Sequence, residues 1–254
     1  MLPAKIIFGV LALCLLPASS FAADSPAQFT DSQKAAIEEL VRNLLIKKEP
    51  EIIMKAAQEI QNRQEAEASV KNQQAVAVNR EKLLNDPNSP VGGNLKGAVT
   101  IVEFIDYQCG YCKLSYEAVE KLLSENKDVK IIYKEFPILG PASVQAAKAS
   151  LASARQGKFH KFHKALMPVK EHLSDEVIFK TAKEAGLNVD KLKKDMADPA
   201  IEKMIKESLE LGNEVGAHGT PTFIIGETVH PGMMQYEELK KAVEEARQAS
   251  GARK

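Results

Sequence analysis

The chain has 254 residues, with 34 basic and 34 acidic side chains, three cysteines and no tryptophan. That balance excludes a nucleic-acid surface built on net charge, and no basic amphipathic stretch marks a membrane-surface helix. The length allows one large domain, or one domain with an appendage.

Residues 1–22 read as a signal peptide: a single charge at Lys5, an apolar run from Ile6 to Leu16, then Pro17-Ala18-Ser19-Ser20-Phe21-Ala22 as a small-residue cleavage site. The run is too short to span a bilayer. Cys14 raises a lipoprotein alternative, but the bulky Leu13 just before it fits that processing poorly. Removal of Lys5 with the leader leaves 33 basic against 34 acidic groups. Export places the two remaining cysteines in an oxidising compartment.

Residues 23–85 read as a helical segment, with no strand signal from Thr30 to roughly Asn85. Thr30 followed by Gln33 resembles a capping box, after which Ile37, Leu40, Val41, Leu44 and Leu45 share one helical face. Pro50 punctuates, and Ile52, Ile53, Ala56, Ala57 and Ile60 form a second face. From Gln61 to Lys82 the sequence turns polar. Two helices with an apolar stripe cannot bury it alone, which predicts self-association of this segment; the competing reading packs the first helix back on the rest of its own chain, with the polar stretch as a spacer.

Residues 86–97 include Asp86-Pro87-Asn88-Ser89-Pro90-Val91-Gly92-Gly93-Asn94, a linker rich in turn formers. Residues 98–254 then alternate. The pattern predicts a strand over Val99–Ile105, a helix over Lys113–Ser124 and a strand over Val129–Tyr133. A helical block follows from Ala142 to about Gly216, broken near Gly157, Pro168, Gly186 and Pro199. Strands at Thr222–Ile225 and Glu227–Val229 and a helix over Tyr236–Ala249 close the chain. The class is α/β, a sheet domain interrupted by helices.

Cys109-Gly110-Tyr111-Cys112 lies between the first strand and its helix, the layout of a redox-active dithiol. The thiolate is the nucleophile in disulfide exchange, and an ordinary cysteine with pKa ~8.5 is mostly protonated at neutral pH. A helix N-terminus offers Cys109 unpaired N–H groups and the positive end of the macrodipole, so its pKa should fall. Cys112, one turn further in, should be more buried and act as the resolving thiol. Two other readings compete. A structural disulfide closing so small a loop removes little chain entropy. Zinc needs more ligands than a single C-x-x-C, and His160, His163, His172, His218 and His230 supply no suitably spaced pair, so no metal is expected.

Gly219-Thr220-Pro221 precedes the late strand. A proline there is a candidate for a cis bond that presents the Thr220 backbone to an extended substrate; the alternative is a trans proline opening a strand.

Strand–CGYC–helix, a long helical insertion and Thr220-Pro221 before the next strand resemble the thioredoxin fold in its DsbA-like form, over roughly Ala98 to Ala249. Phe104-Ile105-Asp106-Tyr107-Gln108-Cys109-Gly110-Tyr111-Cys112-Lys113, with Asn85-Asp86-Pro87, is similar to exported DsbA-like proteins that carry an N-terminal helical oligomerisation segment. That group includes the ScsC proteins and outer-membrane-antigen-type thiol oxidoreductases. The resemblance implies a thioredoxin fold with a helical insertion behind an N-terminal oligomerisation segment, a cis Pro221, and a substrate groove around Cys109. It also implies that Glu103 is the partly buried acid that relays protons to Cys112; strand alternation alone leaves Glu103 equally readable as a solvent-facing residue. No cofactor beyond a Cys109–Cys112 disulfide is implied.

The strongest oxidases of that family have Pro-His between the cysteines, and the histidine stabilises the thiolate. Gly110-Tyr111 supplies no cation, so the pair should be less oxidising. CGYC and Thr before the proline instead resemble the DsbC-type isomerases, which are dimeric. The expected protein is a periplasmic thiol–disulfide oxidoreductase with isomerase character, a homodimer or homotrimer, with outer-membrane association left open. Its partners would be misfolded or reduced exported proteins and a membrane redox protein of the DsbD or DsbB type. The alternative is an oligomeric holdase or surface-associated binding protein whose dithiol is incidental.

Overall fold

A computed structural model describes residues 29–251. The predicted signal peptide and Cys14 lie outside the described residues. The chain divides into two compact units between Ile60 and Gln61.

In the first unit, helix α1 (Asp31–Asn43) opens on the expected capping box: Thr30 accepts from the Gln33 backbone N–H while the Gln33 side chain reaches back to Thr30. A π-helical turn (Leu44–Lys48) follows, and Pro50 lies in the break before helix α2 (Ile52–Val78). No residue of α1 is buried; Ile37, Leu40 and Val41 are exposed along one face.

The second unit is built on a five-stranded sheet ordered β1-β3-β2-β4-β5. Strand β2 (Val99–Ile105) forms as expected, parallel to β3 (Val129–Glu135) across helix α4 (Gly110–Glu125). Strand β4 (Thr222–Ile225) pairs antiparallel with β2 and with β5 (Thr228–Pro231). The turn between β4 and β5 places Gly226 at φ 65°, a conformation that costs glycine nothing.

Between β3 and β4 run helices α5 (Pro141–Ala154), α6 (Phe159–Leu166), α7 (Asp175–Glu184), α8 (Val189–Met196) and α9 (Pro199–Glu214). Helix α10 (Tyr236–Ala249) closes the chain. Both faces of the sheet are covered. Ile101, Ile105, Ile131, Tyr133, Phe223 and Ile225 pack with Val119 and Leu122 of α4, Leu239 and Val243 of α10, and the helical insertion. Val102, Phe104, Ile132 and Ile224 face the other way, against Leu211 and Val215.

Two features depart from expectation. The stretch read as linker contains strand β1 (Val91–Gly93), antiparallel to β3. The compact unit also begins at Gln61, well ahead of residue 86. Val76 at the end of α2 and Leu83 of helix α3 (Arg80–Leu84) are buried with Phe104 and Phe136, so the polar helix ends inside the core. The Lys134 ammonium, nearly sealed from solvent, fastens the following turn: it donates to Asp86 Oδ2 at 2.8 Å and to the Lys82 carbonyl at 2.9 Å.

Candidate active site

Strand β2 delivers the chain into a tight turn, Asp106-Tyr107-Gln108, that aims Cys109 at the start of α4. The Asp106 carboxylate shapes it. Its Oδ1 accepts from Gln108 N at 2.8 Å in an Asx turn, and Oδ2 accepts from Ile138 N and Leu139 N at 3.0 and 3.1 Å. The turn before the cysteine and the loop after β3 are thus held by one buried side chain. Cys109 is the N-cap of α4, in extended backbone conformation, and its own N–H donates to the Asp106 carbonyl.

The two sulfurs are free thiols. Cys109 Sγ faces Thr220, 3.1 Å from its carbonyl, to which the thiol form donates, and the Thr220–Pro221 bond is cis. The sequence separation of 111 residues between them is bridged because β4 pairs directly with β2. The Pro221 carbonyl accepts from Gly232 N, and Thr222 Oγ1 donates to the Gly219 carbonyl, which fixes the loop from both sides.

Electrostatics separate the pair. The Cys109 pKa is lowered to about 5, first by a hydrogen bond from the Cys112 thiol. Burial opposes this shift, and the Thr220 side chain and the backbone N–H groups of Cys112 and Tyr111 add to it. Cys112 is pushed far up by burial, by its bond to Cys109 and by the neighbouring charges of Cys109 and Glu103. One sulfur is a thiolate at neutral pH and the other keeps its proton. The main contributors are a thiol donor, the Thr220 side chain and helix-end N–H groups, and the Lys113 ammonium one turn along α4 interacts favourably with the Cys109 charge.

Glu103 lies mid-way along β2, opposite Tyr133 on one side and Phe223 on the other. It shares the sheet face of Ile101 and Ile105, the face against which Cys112 packs, and is 4% exposed. Burial, reinforced by the Glu120 charge, raises its pKa to about 8. The solvent-facing reading is therefore excluded by its position. Gly110 and Tyr111 point outward: nothing lies within 4 Å of where a Gly110 Cβ would stand, and Tyr111 is exposed.

Asp106, Tyr107 and Gln108 carry no recognisable role in the sequence, yet each anchors the cysteine turn. The buried Tyr107 hydroxyl stands 2.8 Å from both Ser150 Oγ and His163 Nδ1, and burial lowers the His163 pKa to about 3, so that ring is neutral. Gln108 accepts from Leu173 N at 3.1 Å and pairs with His172 at 2.9 Å. Lys113 donates to the Val169 carbonyl. These contacts stitch the cysteine turn to the helical insertion. The one available signal was a run of polar and aromatic residues at the end of a buried strand.

Comparison with known proteins agrees with this geometry. The family model for the DSBA-like thioredoxin domain matches residues 100–244. A thioredoxin-like oxidoreductase from Silicibacter pomeroyi is 40% identical, covering 67% of this chain and 98% of that one, with a TM-score of 0.66. Proteus mirabilis ScsC in a transitional conformation is 30% identical over 87% of this chain and 100% of its own, with a TM-score of 0.65. A periplasmic thioredoxin-like protein from Salmonella enterica serovar Typhimurium is 32% identical over 66% and 95%, with a TM-score of 0.61. Among curated proteins, the Na(+)/H(+) antiporter NhaA 3 of Salinispora tropica is 29% identical over 155 residues, 60% of this chain and 24% of the antiporter. The chain thus spans about a quarter of the length of the curated relatives it matches. With a family model spanning more than half of it and a buried Cys-x-x-Cys at the head of its helix, the chain belongs to the DsbA-like thioredoxin-domain family, whose fold carries thiol–disulfide oxidoreductase chemistry.

Proposed function

We propose that the chain is a periplasmic thiol–disulfide oxidoreductase that rearranges disulfides in exported proteins, with Cys109 as nucleophile and Cys112 as resolving thiol. The observation carrying this reading is the split between the two sulfurs: Cys109 lowered to about 5 and facing Thr220, Cys112 held protonated beneath it. In isomerisation the Cys109 thiolate attacks one sulfur of a client disulfide. A mixed disulfide forms, the other client sulfur leaves as thiolate, and a second client thiolate later displaces Cys109. When the client does not resolve, Cys112 attacks Cys109 instead, yielding a Cys109–Cys112 disulfide and a reduced client. That step needs the Cys112 proton removed, and Glu103, on the same face, is proposed to relay it: its ionised form, a minority at neutral pH that grows as pH approaches 8, is the acceptor.

Three features favour isomerase character. No cation lies between the cysteines to stabilise the thiolate further, so the reduced form is less favoured than in a strong oxidase. Tyr111 and Leu114 are exposed in the first turns of α4, and Ile138 and Leu139 are exposed in the loop that Asp106 ties to the cysteine turn, apolar surface suited to unfolded clients. The exposed apolar face of α1 supports assembly into a homodimer or homotrimer. The membrane partner that would recharge the dithiol is proposed to be of the DsbD or DsbB type.

The test is reactivation of scrambled ribonuclease. The purified protein should restore activity, and Cys109→Ser should abolish it. Failure to reactivate, combined with fast oxidation of reduced clients, refutes the isomerase reading and leaves an oxidase. The same exposed α1 face favours a second reading, an oligomeric holdase; suppression of client aggregation that survives in Cys109→Ser would support it.

A further inference from the structure

We infer that a second site, separate from the cysteines, binds small aliphatic cations bearing an ammonium or guanidinium group, with Glu135 as the buried acceptor. A cavity of about 470 Å³ lies between α3, the end of β3, α5 and α9, within the second unit. Neither Cys109, Cys112, Glu103 nor the Gly219–Pro221 loop lines it. Its size falls in the range of small-molecule pockets.

Glu135, the last residue of β3, lines this cavity at 2% exposure, and neither of its carboxyl oxygens has a hydrogen-bond partner. Ser208 of α9 also lines it, and its buried hydroxyl is likewise unpartnered. A buried polar atom without a partner carries a desolvation cost of about 1–3 kcal/mol. Two such groups, on different elements that line one cavity, point to something that completes them. Ser150, whose hydroxyl is shared with Tyr107, approaches the Glu135 carboxyl and eases its ionisation, but no hydrogen bond of normal geometry closes between them. Burial, with the Asp106 charge, holds the Glu135 carboxyl well above the ordinary range. A carboxyl sealed from water without a counter-ion favours its neutral form, a preference that an arriving cation reverses.

The lining selects the sign of the ligand. Glu81, Asp86, Glu207, Glu210 and Glu214 surround the cavity with Glu135, against two lysines. Both lysines are occupied, Lys134 with Asp86 at 2.8 Å and Lys82 with Glu214 at 3.3 Å. Glu207 and Glu210 touch Lys203 and Lys206 only in exposed pairs, which screen little. The potential inside is negative. A bare metal ion is a poor match, because no group of three or more His, Cys, Asp or Glu among the described residues is arranged to hold one. An organic cation fits. Its N–H groups satisfy the Glu135 oxygens and its alkyl chain lies against Leu151, Met204 and Leu211. On binding, Glu135 releases its proton to solvent, so one positive charge enters as one leaves.

The experiment is isothermal titration calorimetry of the purified protein at neutral pH, in two buffers of different ionisation enthalpy. The probes are agmatine and the blocked tripeptide acetyl-Gly-Arg-Gly-amide. At least one should bind, with heats that differ between buffers and report net release approaching one proton per site. Glu135→Gln should weaken that binding by about tenfold or more and remove the buffer dependence. Ser208→Met, which narrows the cavity from α9 and leaves Glu135 in place, should abolish binding while the alkylation rate of Cys109 is unchanged. Binding of agmatine alone assigns the cavity to free amines; binding of the tripeptide assigns it to basic side chains of another polypeptide. Absence of binding for both probes up to about 10 mM overturns the inference. So does equal affinity in Glu135→Gln, or heat without proton release.

Discussion

Glu103→Gln is the sharpest test of how the sheet beneath the cysteines is built. An ordinary glutamate carboxyl ionises near 4.5, whereas burial and Glu120 hold Glu103 at about 8. Between those values the unfolded chain loses this proton and the folded chain keeps it. The folded state therefore binds more protons, and stability falls as pH rises. The slope from this one group approaches about 1.4 kcal/mol per pH unit, so a span of about 3.5 pH units removes about 5 kcal/mol. Above about 8 the loss is complete; below 4.5 there is none. Glutamine keeps the shape and cannot titrate. Urea denaturation of the reduced protein and of reduced Glu103→Gln, at intervals from pH 4.5 to 9, should give curves that diverge with rising pH. The variant becomes the more stable by several kcal/mol at the alkaline end. Parallel curves would show that Glu103 ionises normally in the folded protein, and the account of a buried proton store beneath Cys112 would fail.

Two further outcomes follow from the same geometry. Cys112→Ala removes the first contributor to the low Cys109 pKa, a hydrogen bond worth about 1.5–3 kcal/mol when the acceptor is charged. The Cys109 acid constant should weaken by about 10- to 150-fold, read by ultraviolet thiolate absorbance against pH, while Cys112→Ser, which keeps a donor, stays near the parent. In Gly212→Ala a new Cβ would meet Phe136 Cε2 at 2.3 Å, and the Phe136 ring is wedged edge-on against Phe104. Overpacking of about 1–3 kcal/mol outweighs the ~1 kcal/mol that alanine gains in a helix interior. Tm should drop by several degrees, whereas Gly110→Ala, with open space at its Cβ, should leave Tm unchanged.

The strands and helices with strong periodicity were legible. Val99–Ile105, Thr222–Ile225 and Tyr236–Ala249 lie where the pattern puts them, because side-chain alternation and helical spacing are local properties. Strand β1 was not, since Val91-Gly92-Gly93 has almost no strand preference and becomes a strand only by pairing with β3. Strand β3 runs past Tyr133 through Lys134 and Glu135, residues that read as a strand end. Lys134 stays in the sheet because Asp86 and the Lys82 carbonyl, roughly fifty positions away, receive its charge. At the site, the cysteines and Thr220-Pro221 announce themselves by residue type. Glu103 could not be placed by alternation because both faces of β2 are covered. The roles of Asp106 and Tyr107 were invisible because their partners, Ile138, Leu139, Ser150 and His163, arrive from 32 to 56 residues further on.

The hold of Asp106 on Ile138 and Leu139 is made entirely through their backbone N–H groups. The loop's course is therefore indifferent to what its side chains are. Those two positions can be exchanged for larger, smaller or charged residues while the cysteine turn keeps its shape. The molecule thus separates tuning from chemistry: under the proposed function, client preference can drift, or be redesigned, at this loop without renegotiating the reactivity of the sulfur behind it.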